Sequence, residues 1–215
     1  AEVKRLLPTT HLLTLTGAGG CGKTRLALQV AADLVEEYRD GVWLVELAAL
    51  ADPALVPRTL ASPLGVREEP GRPLTQTLLD HLRAKSLLLV LDNCEHLLCA
   101  CAQLAEVLLR HCPELRILAT SREGLGTAGE RTYRVPSLSL PPLVESSGLR
   151  VESSGMVKDP PSSELSTLNS QLSTLLQYEA VRLFVERAVF AQPRFAVTGQ
   201  NARALAQVCQ QLDGI

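Results

Sequence analysis

Apolar and polar positions along this chain fall into two kinds of block. Short apolar runs at Leu12-Leu13-Thr14-Leu15-Thr16, Val42-Trp43-Leu44-Val45-Glu46-Leu47 and Leu87-Leu88-Leu89-Val90-Leu91 read as strands. Arg116-Ile117-Leu118-Ala119-Thr120 predicts a fourth strand and Thr132-Tyr133-Arg134-Val135 a fifth. The run at Leu87 is apolar at consecutive positions, as expected of a parallel strand covered on both faces. Between the runs the period changes to that of a helix. Leu26, Ala27, Val30, Ala31 and Leu34 mark one helix, and Leu97, Leu98, Cys101, Leu104, Ala105 and Leu108 mark another that Pro113 ends. Asp52-Pro53 breaks the chain, and two shorter helices are expected around Ala54–Leu60 and Leu74–Arg83. Such alternation predicts an α/β fold with three layers around a mostly parallel sheet.

This pattern covers residues 1–140, the first expected domain. Over 141–177 the sequence turns Ser- and Pro-rich and repeats itself. Val144-Glu145-Ser146-Ser147-Gly148 recurs at Val151, and Leu165-Ser166-Thr167-Leu168 recurs at Leu172. A loosely constrained low-complexity insertion or linker is expected there. Leu165, Leu168, Leu172 and Leu175 stand at heptad spacing, which leaves a short helix open. From 178 to 215 two amphipathic patterns return, one through Val181, Phe184, Val185, Ala188 and Val189, the other through Ala202, Leu205, Ala206, Cys209 and Leu212. They read as the start of a helical subdomain, cut short.

Composition narrows the function. Hydrophobic residues make up 46% and charged residues 20% of the 215 positions, enough for a sizeable core. Aromatics are only 3%, so Leu, Val and Ala must fill that core. A net charge of −2 gives no broad basic field, so no direct nucleic-acid contact is expected from this segment. No apolar run reaches the length of a membrane span, and the first residues lack a signal-peptide layout. None of the six cysteines forms a Cys-x-x-Cys knuckle. Reduced, buried, structural thiols and a cytoplasmic location are therefore expected.

The chemistry begins where the first strand meets the first long helix. Gly17-Ala18-Gly19-Gly20-Cys21-Gly22-Lys23-Thr24 matches the pattern G-x-x-x-x-G-K-[ST], with a strand before it and a helix after it. Backbone N–H groups must converge on phosphate oxygens here, which requires a main chain that glycine alone can turn so tightly. The helix N-terminus adds a positive dipole end. Gly17, Gly19, Gly20, Cys21, Gly22, Lys23, Thr24 and Arg25 are thus the candidate phosphate-binding residues. Lys23 is expected on the β- and γ-phosphates and the Thr24 hydroxyl on Mg²⁺. ATP or ADP with Mg²⁺ is the expected cofactor set.

Asp92 ends the third strand. A carboxylate at the C-terminal end of a buried parallel strand faces the ligand crevice, where it can hold Mg²⁺ directly or through water. Asn93 follows it and can cap the next helix. Arg122, just past the fourth strand, is a candidate sensor of the γ-phosphate. Glu95 is a candidate for orienting an attacking water.

Three ordered segments carry a family resemblance. Leu13 to Ala27 holds the P-loop. Leu89-Val90-Leu91-Asp92-Asn93-Cys94-Glu95-His96-Leu97 and Ile117-Leu118-Ala119-Thr120-Ser121-Arg122-Glu123 follow in order. Together they resemble the STAND class of P-loop ATPases, in particular the NB-ARC-like modules of bacterial transcriptional regulators. The likeness covers most of residues 6 to 135 and resumes from about Tyr178. It implies that the Thr120-Ser121-Arg122 strand lies between the P-loop strand and the Asp92 strand. It implies a switch in which ADP holds a closed state and ATP permits an open, self-associating one. It also implies partner domains in a longer chain: a winged helix, helical repeats and an effector domain.

This chain departs from the family in places. Asn93 stands where many relatives carry a second acidic residue, so slow hydrolysis is expected. The family's Val-Gly-Arg type segment would lie before the first residue of this sequence, and Leu212-Asp213-Gly214-Ile215 resembles the beginning of its Gly-Leu-Pro-Leu type motif. A truncated module inactive alone therefore stays open, as does a turnover enzyme such as a fast ATPase or small-molecule kinase. A GTPase would need an Asn-Lys-x-Asp guanine reader, which the sequence lacks.

Overall fold

Five strands form one sheet: β1 (Leu12–Thr16), β2 (Val42–Glu46), β3 (Leu87–Asp92), β4 (Leu115–Thr120) and β5 (Glu130–Arg134). The computed structural model describes residues 2–142 and 172–212. The strand order is β2-β3-β4-β1-β5, and every neighbouring pair is parallel. The strand carrying Thr120 thus lies between the P-loop strand and the Asp92 strand, as the resemblance implies.

Side-chain alternation divides the interior in two. Leu87, Leu89 and Leu91 point to one face of β3, Leu88 and Val90 to the other, and both faces are buried. The first face packs with Leu12, Val45 and Ile117 against α3 (Val56–Ala61), α4 (Leu74–Leu82) and α5 (Leu98–His111). The second packs with Leu13, Leu15 and Leu118 against α1 (Glu2–Leu6) and α2 (Lys23–Asp33). These are the three layers expected from the sequence. Leucine dominates both clusters, and each fully buried leucine side chain contributes about 1.5–3 kcal/mol. Helix α1 had no periodic signal in the sequence, because its five residues span barely more than one turn.

Contacts divide the chain into two compact units, Ala1–Val135 and Pro136–Ile215. The second unit holds α6 (Glu179–Ala191) and α7 (Ala202–Gln211). Val181, Leu205 and Cys209 form its small core together with Leu138, Leu140, Phe184 and Phe195. Ser139 and Glu179 fix the entry to α6: the Ser139 N–H donates to Glu179 Oε2 at 3.1 Å, and the Glu179 N–H donates to Ser139 Oγ at 3.0 Å. The low-complexity segment expected over 141–177 lies largely outside the described residues.

All six cysteines are free thiols. Cys94, Cys101, Cys112 and Cys209 are buried, as expected, but Cys99 is exposed and Cys21 partly so. Cys99 lies off the apolar stripe that Cys101, Leu104, Ala105 and Leu108 turn inward, and Cys21 sits in the glycine loop. No helix among the described residues is long and apolar enough to cross a membrane.

Candidate functional site

The glycine loop leaves β1 and enters α2 at Lys23. Gly17 has φ +147°, and a Cβ there would lie 2.9 Å from Cys21 Sγ and 3.3 Å from the Val135 carbonyl. No side chain fits that position. Gly22, the residue before the helix, has φ +89°, a left-handed turn that bends the loop into the first helical N–H groups. The Gly22 carbonyl accepts from the Leu26 N–H at 2.8 Å, closing the first turn.

Lys23 is only 8% exposed although its side chain carries a charge. Its ammonium donates to the carbonyls of Gly17 at 2.9 Å and Ala18 at 2.8 Å. Folding back on the loop satisfies the buried cation and keeps it beside the turn of the glycines.

Three hydroxyl and carboxylate groups from different elements meet next to it. The Thr24 hydroxyl donates to Asp92 Oδ1 at 2.8 Å, and the Thr120 hydroxyl donates to the same oxygen at 2.6 Å. Thr120 also accepts from the Asn93 N–H at 2.9 Å. The register of β3 on β4, with Leu91 beside Ala119, brings these strand ends together. Thr24 and Asp92, the two candidate metal ligands, are thereby brought into contact. Thr120 is the residue that sequence reading left without a role. A threonine ending a strand is ordinary β-propensity, and only the pairing of β3 with β4 shows that its hydroxyl locks Asp92.

Asn93 adopts φ +67°, the one positive φ at a non-glycine position among the described residues. Asparagine tolerates this region better than most side chains. Asn93 precedes the 3₁₀ turn Cys94–His96 but makes no side-chain cap bond. Its amide Nδ2 lies 3.4 Å from His96 Nδ1 instead, and His96 Nε2 lies 2.8 Å from the Leu50 carbonyl.

Arg122 and Glu95 form an ion pair, with Nε 3.4 Å from Oε1. The arginine side chain is 70% exposed and the glutamate 21%. The guanidinium also reaches the glycine loop, since a Cβ on Gly19 would lie 3.8 Å from Arg122 Nη2. Arg122, Glu95 and the loop are therefore neighbours. Arg25 is exposed, and no hydrogen bond or ion pair ties it to the cluster among the described residues. Beneath the site the Cys94 thiol is pushed far up by its hydrogen bond with Cys101 and then by burial, so it stays protonated.

A family model described as an AAA domain matches residues 8–127, more than half of the chain. A Mycobacterium tuberculosis protein bearing the provisional name of an HTH-type transcriptional regulator is 40% identical over 213 residues, which is 99% of this chain and 20% of that protein. The chain thus spans about a fifth of the length of that curated relative. The Aeropyrum pernix ORC2 protein, solved as ADPNP-ADP complexes, has a similar fold with a TM-score of 0.51 at 13% identity, covering 100% of this chain and 69% of that one. A STAND protein with a tetratricopeptide repeat sensor from Pyrococcus horikoshii gives a TM-score of 0.48 at 14% identity over 64% of this chain and 22% of that one. With its glycine loop, its parallel sheet and the match across 8–127, the chain belongs to the AAA domain family of P-loop ATPases.

Proposed function

We propose that this chain is an ATP/ADP-binding regulatory switch module of a STAND-type signalling or transcriptional regulator, and that it hydrolyses ATP slowly with Mg²⁺. The observation that carries this reading is the convergence of Lys23, Thr24, Asp92 and Thr120 beside the Gly17–Gly22 loop. Lys23 is held by two loop carbonyls, and phosphate oxygens would replace them as partners. The Thr24 hydroxyl and the Asp92 carboxylate are hard oxygen donors in hydrogen-bond contact, a donor set that suits Mg²⁺. When bound, that ion neutralises charge on the phosphates. Thr120 holds Asp92 in place from the neighbouring strand. In this reading Arg122, which lies beside Gly19, reads the γ-phosphate.

Slow hydrolysis follows from the residues next to Asp92. Asn93 has no carboxylate to accept a proton from an attacking water, and Glu95 is engaged by Arg122. General-base assistance is typically worth about 10²–10⁴-fold. A module lacking most of it works by which nucleotide it holds, not by turnover. The adenine nucleotide is the first partner in this reading. Further domains of a longer regulator (a winged helix, helical repeats, an effector domain) and self-association in the ATP state are the others. The length and provisional name of the mycobacterial relative support a multidomain setting. This segment itself makes no direct nucleic-acid contact in the proposal, and the module acts in the cytoplasm.

Single-turnover kinetics with Mg²⁺-ATP test the reading. The wild-type rate should lie below about one per second, the low end of ordinary enzymes. Asn93→Asp, which the left-handed backbone tolerates, should raise it by an order of magnitude or more, as a restored base would. Many turnovers per second in the wild type, unchanged in Asn93→Asp, would show a turnover enzyme with its base elsewhere.

A further inference from the structure

The guanidinium of Arg122 lies between two places of very different charge. On its Nε side, Glu95 Oε1 is 3.4 Å away. On its Nη2 side is Gly19 of the phosphate loop, close enough that an added Cβ would lie 3.8 Å from Nη2. Glu95 is the less exposed partner, held in the 3₁₀ turn that follows β3, while Arg122 is mostly open to solvent. The glutamate is therefore the more enclosed member of the pair and the arginine the more open one. A guanidinium carries one charge, and a carboxylate 3.4 Å away offsets part of it, reduced by the solvent screening an exposed pair meets.

We infer that Glu95 limits the preference of the site for nucleoside triphosphate over diphosphate, by engaging Arg122 until a γ-phosphate takes it over. This inference rests on the nucleotide-switch reading above and adds a specificity residue to it. A γ-phosphate brings negative charge to the loop side of Arg122 and competes with Glu95 for the same cation. A diphosphate brings no such competitor. The carboxylate thus weakens triphosphate binding selectively, and the exchange of partners distinguishes the two occupied states. The same exchange frees Glu95 only once the γ-phosphate has arrived.

Calorimetric titration of the 215-residue chain with Mg²⁺-ADP and with the Mg²⁺ complex of a non-hydrolysable ATP analogue tests this. Glu95→Gln keeps the shape of the side chain and removes its charge. It should tighten the analogue about two- to fivefold, the range of an exposed ion pair, and leave ADP unchanged. In an Arg122→Ala background the same change should have no effect. Equal thermal midpoints of wild type and Glu95→Gln verify that the fold is retained. A Glu95→Gln chain that binds the analogue no better or more weakly, that shifts both ligands equally, or that responds alike without Arg122, overturns the inference and leaves the nucleotide site standing. A wild-type chain that binds neither ligand overturns the nucleotide-switch reading and this inference with it.

Discussion

At the scale of single residues, the site depends on a hydroxyl that bears no charge. Thr120 is 1% exposed, donates to Asp92 and accepts from the Asn93 backbone. Thr120→Val keeps the volume but leaves the Asn93 N–H without its partner and Asp92 with one donor fewer. Unpaired buried polar groups cost about 1–3 kcal/mol each. Urea denaturation should show a loss of that size, and Mg²⁺-dependent ATP binding should weaken along with it. A variant as stable as wild type, with unchanged Mg²⁺ dependence, would show that the threonine merely fills space. The P-loop, Asp92 and the neighbourhood of Arg122 were legible in the sequence because each is a short motif fixed to a strand end. Thr120 and the Arg122–Glu95 pair were not, because their partners come from the parallel pairing of β3 with β4 and not from nearby sequence.

At the scale of elements, the apolar runs are decisive. The consecutive leucines of β3 predicted burial on both faces, and Leu88 and Leu89 indeed enter opposite clusters. Helix α4 shows what periodicity cannot convey. His81, in its last turn, lies 2.9 Å from Lys85 Nζ through Nε2, and burial followed by the Lys85 charge lowers its pKa. Folding therefore favours neutral His81. The sign follows from linkage: full stability is present above the ordinary histidine range near pH 6.5, and part of it is lost as pH falls through that range. His81→Gln should flatten this acid-side decline in urea midpoints measured between about pH 7 and 5. An equally steep decline in the variant would assign it to other groups. Helix α1 was illegible for a simpler reason, since five residues carry no period.

At the scale of the whole molecule, a P-loop unit ending at Val135 is followed by a second unit with its own small core. The strand order was predictable from the family resemblance, whereas the extent of each unit depends on packing that a linear pattern does not contain. Leu138 and Leu140 illustrate this, since they pack with Val181 and Leu205 although the sequence pattern grouped them with the preceding strands. A ligand that binds only the folded state stabilises it by mass action, by about 2.7 kcal/mol at a hundredfold excess over Kd. Mg²⁺-ADP at that excess should raise the unfolding temperature of the P-loop unit by roughly 5–10 °C. An unchanged midpoint at saturating ligand would mean that the nucleotide does not bind the folded unit.

The central claim is that the Gly17–Thr24 loop binds adenine nucleotide phosphates through Lys23. Equilibrium titration of wild type and Lys23→Ala with Mg²⁺-ATP, Mg²⁺-ADP and Mg²⁺-GTP tests it most directly. Charge-assisted hydrogen bonds are worth roughly 1.5–3 kcal/mol each, so losing the ammonium should weaken ATP and ADP about ten- to a hundredfold. Wild type should also prefer adenine nucleotides to GTP. Equal affinity of wild type and Lys23→Ala for ATP would contradict the account.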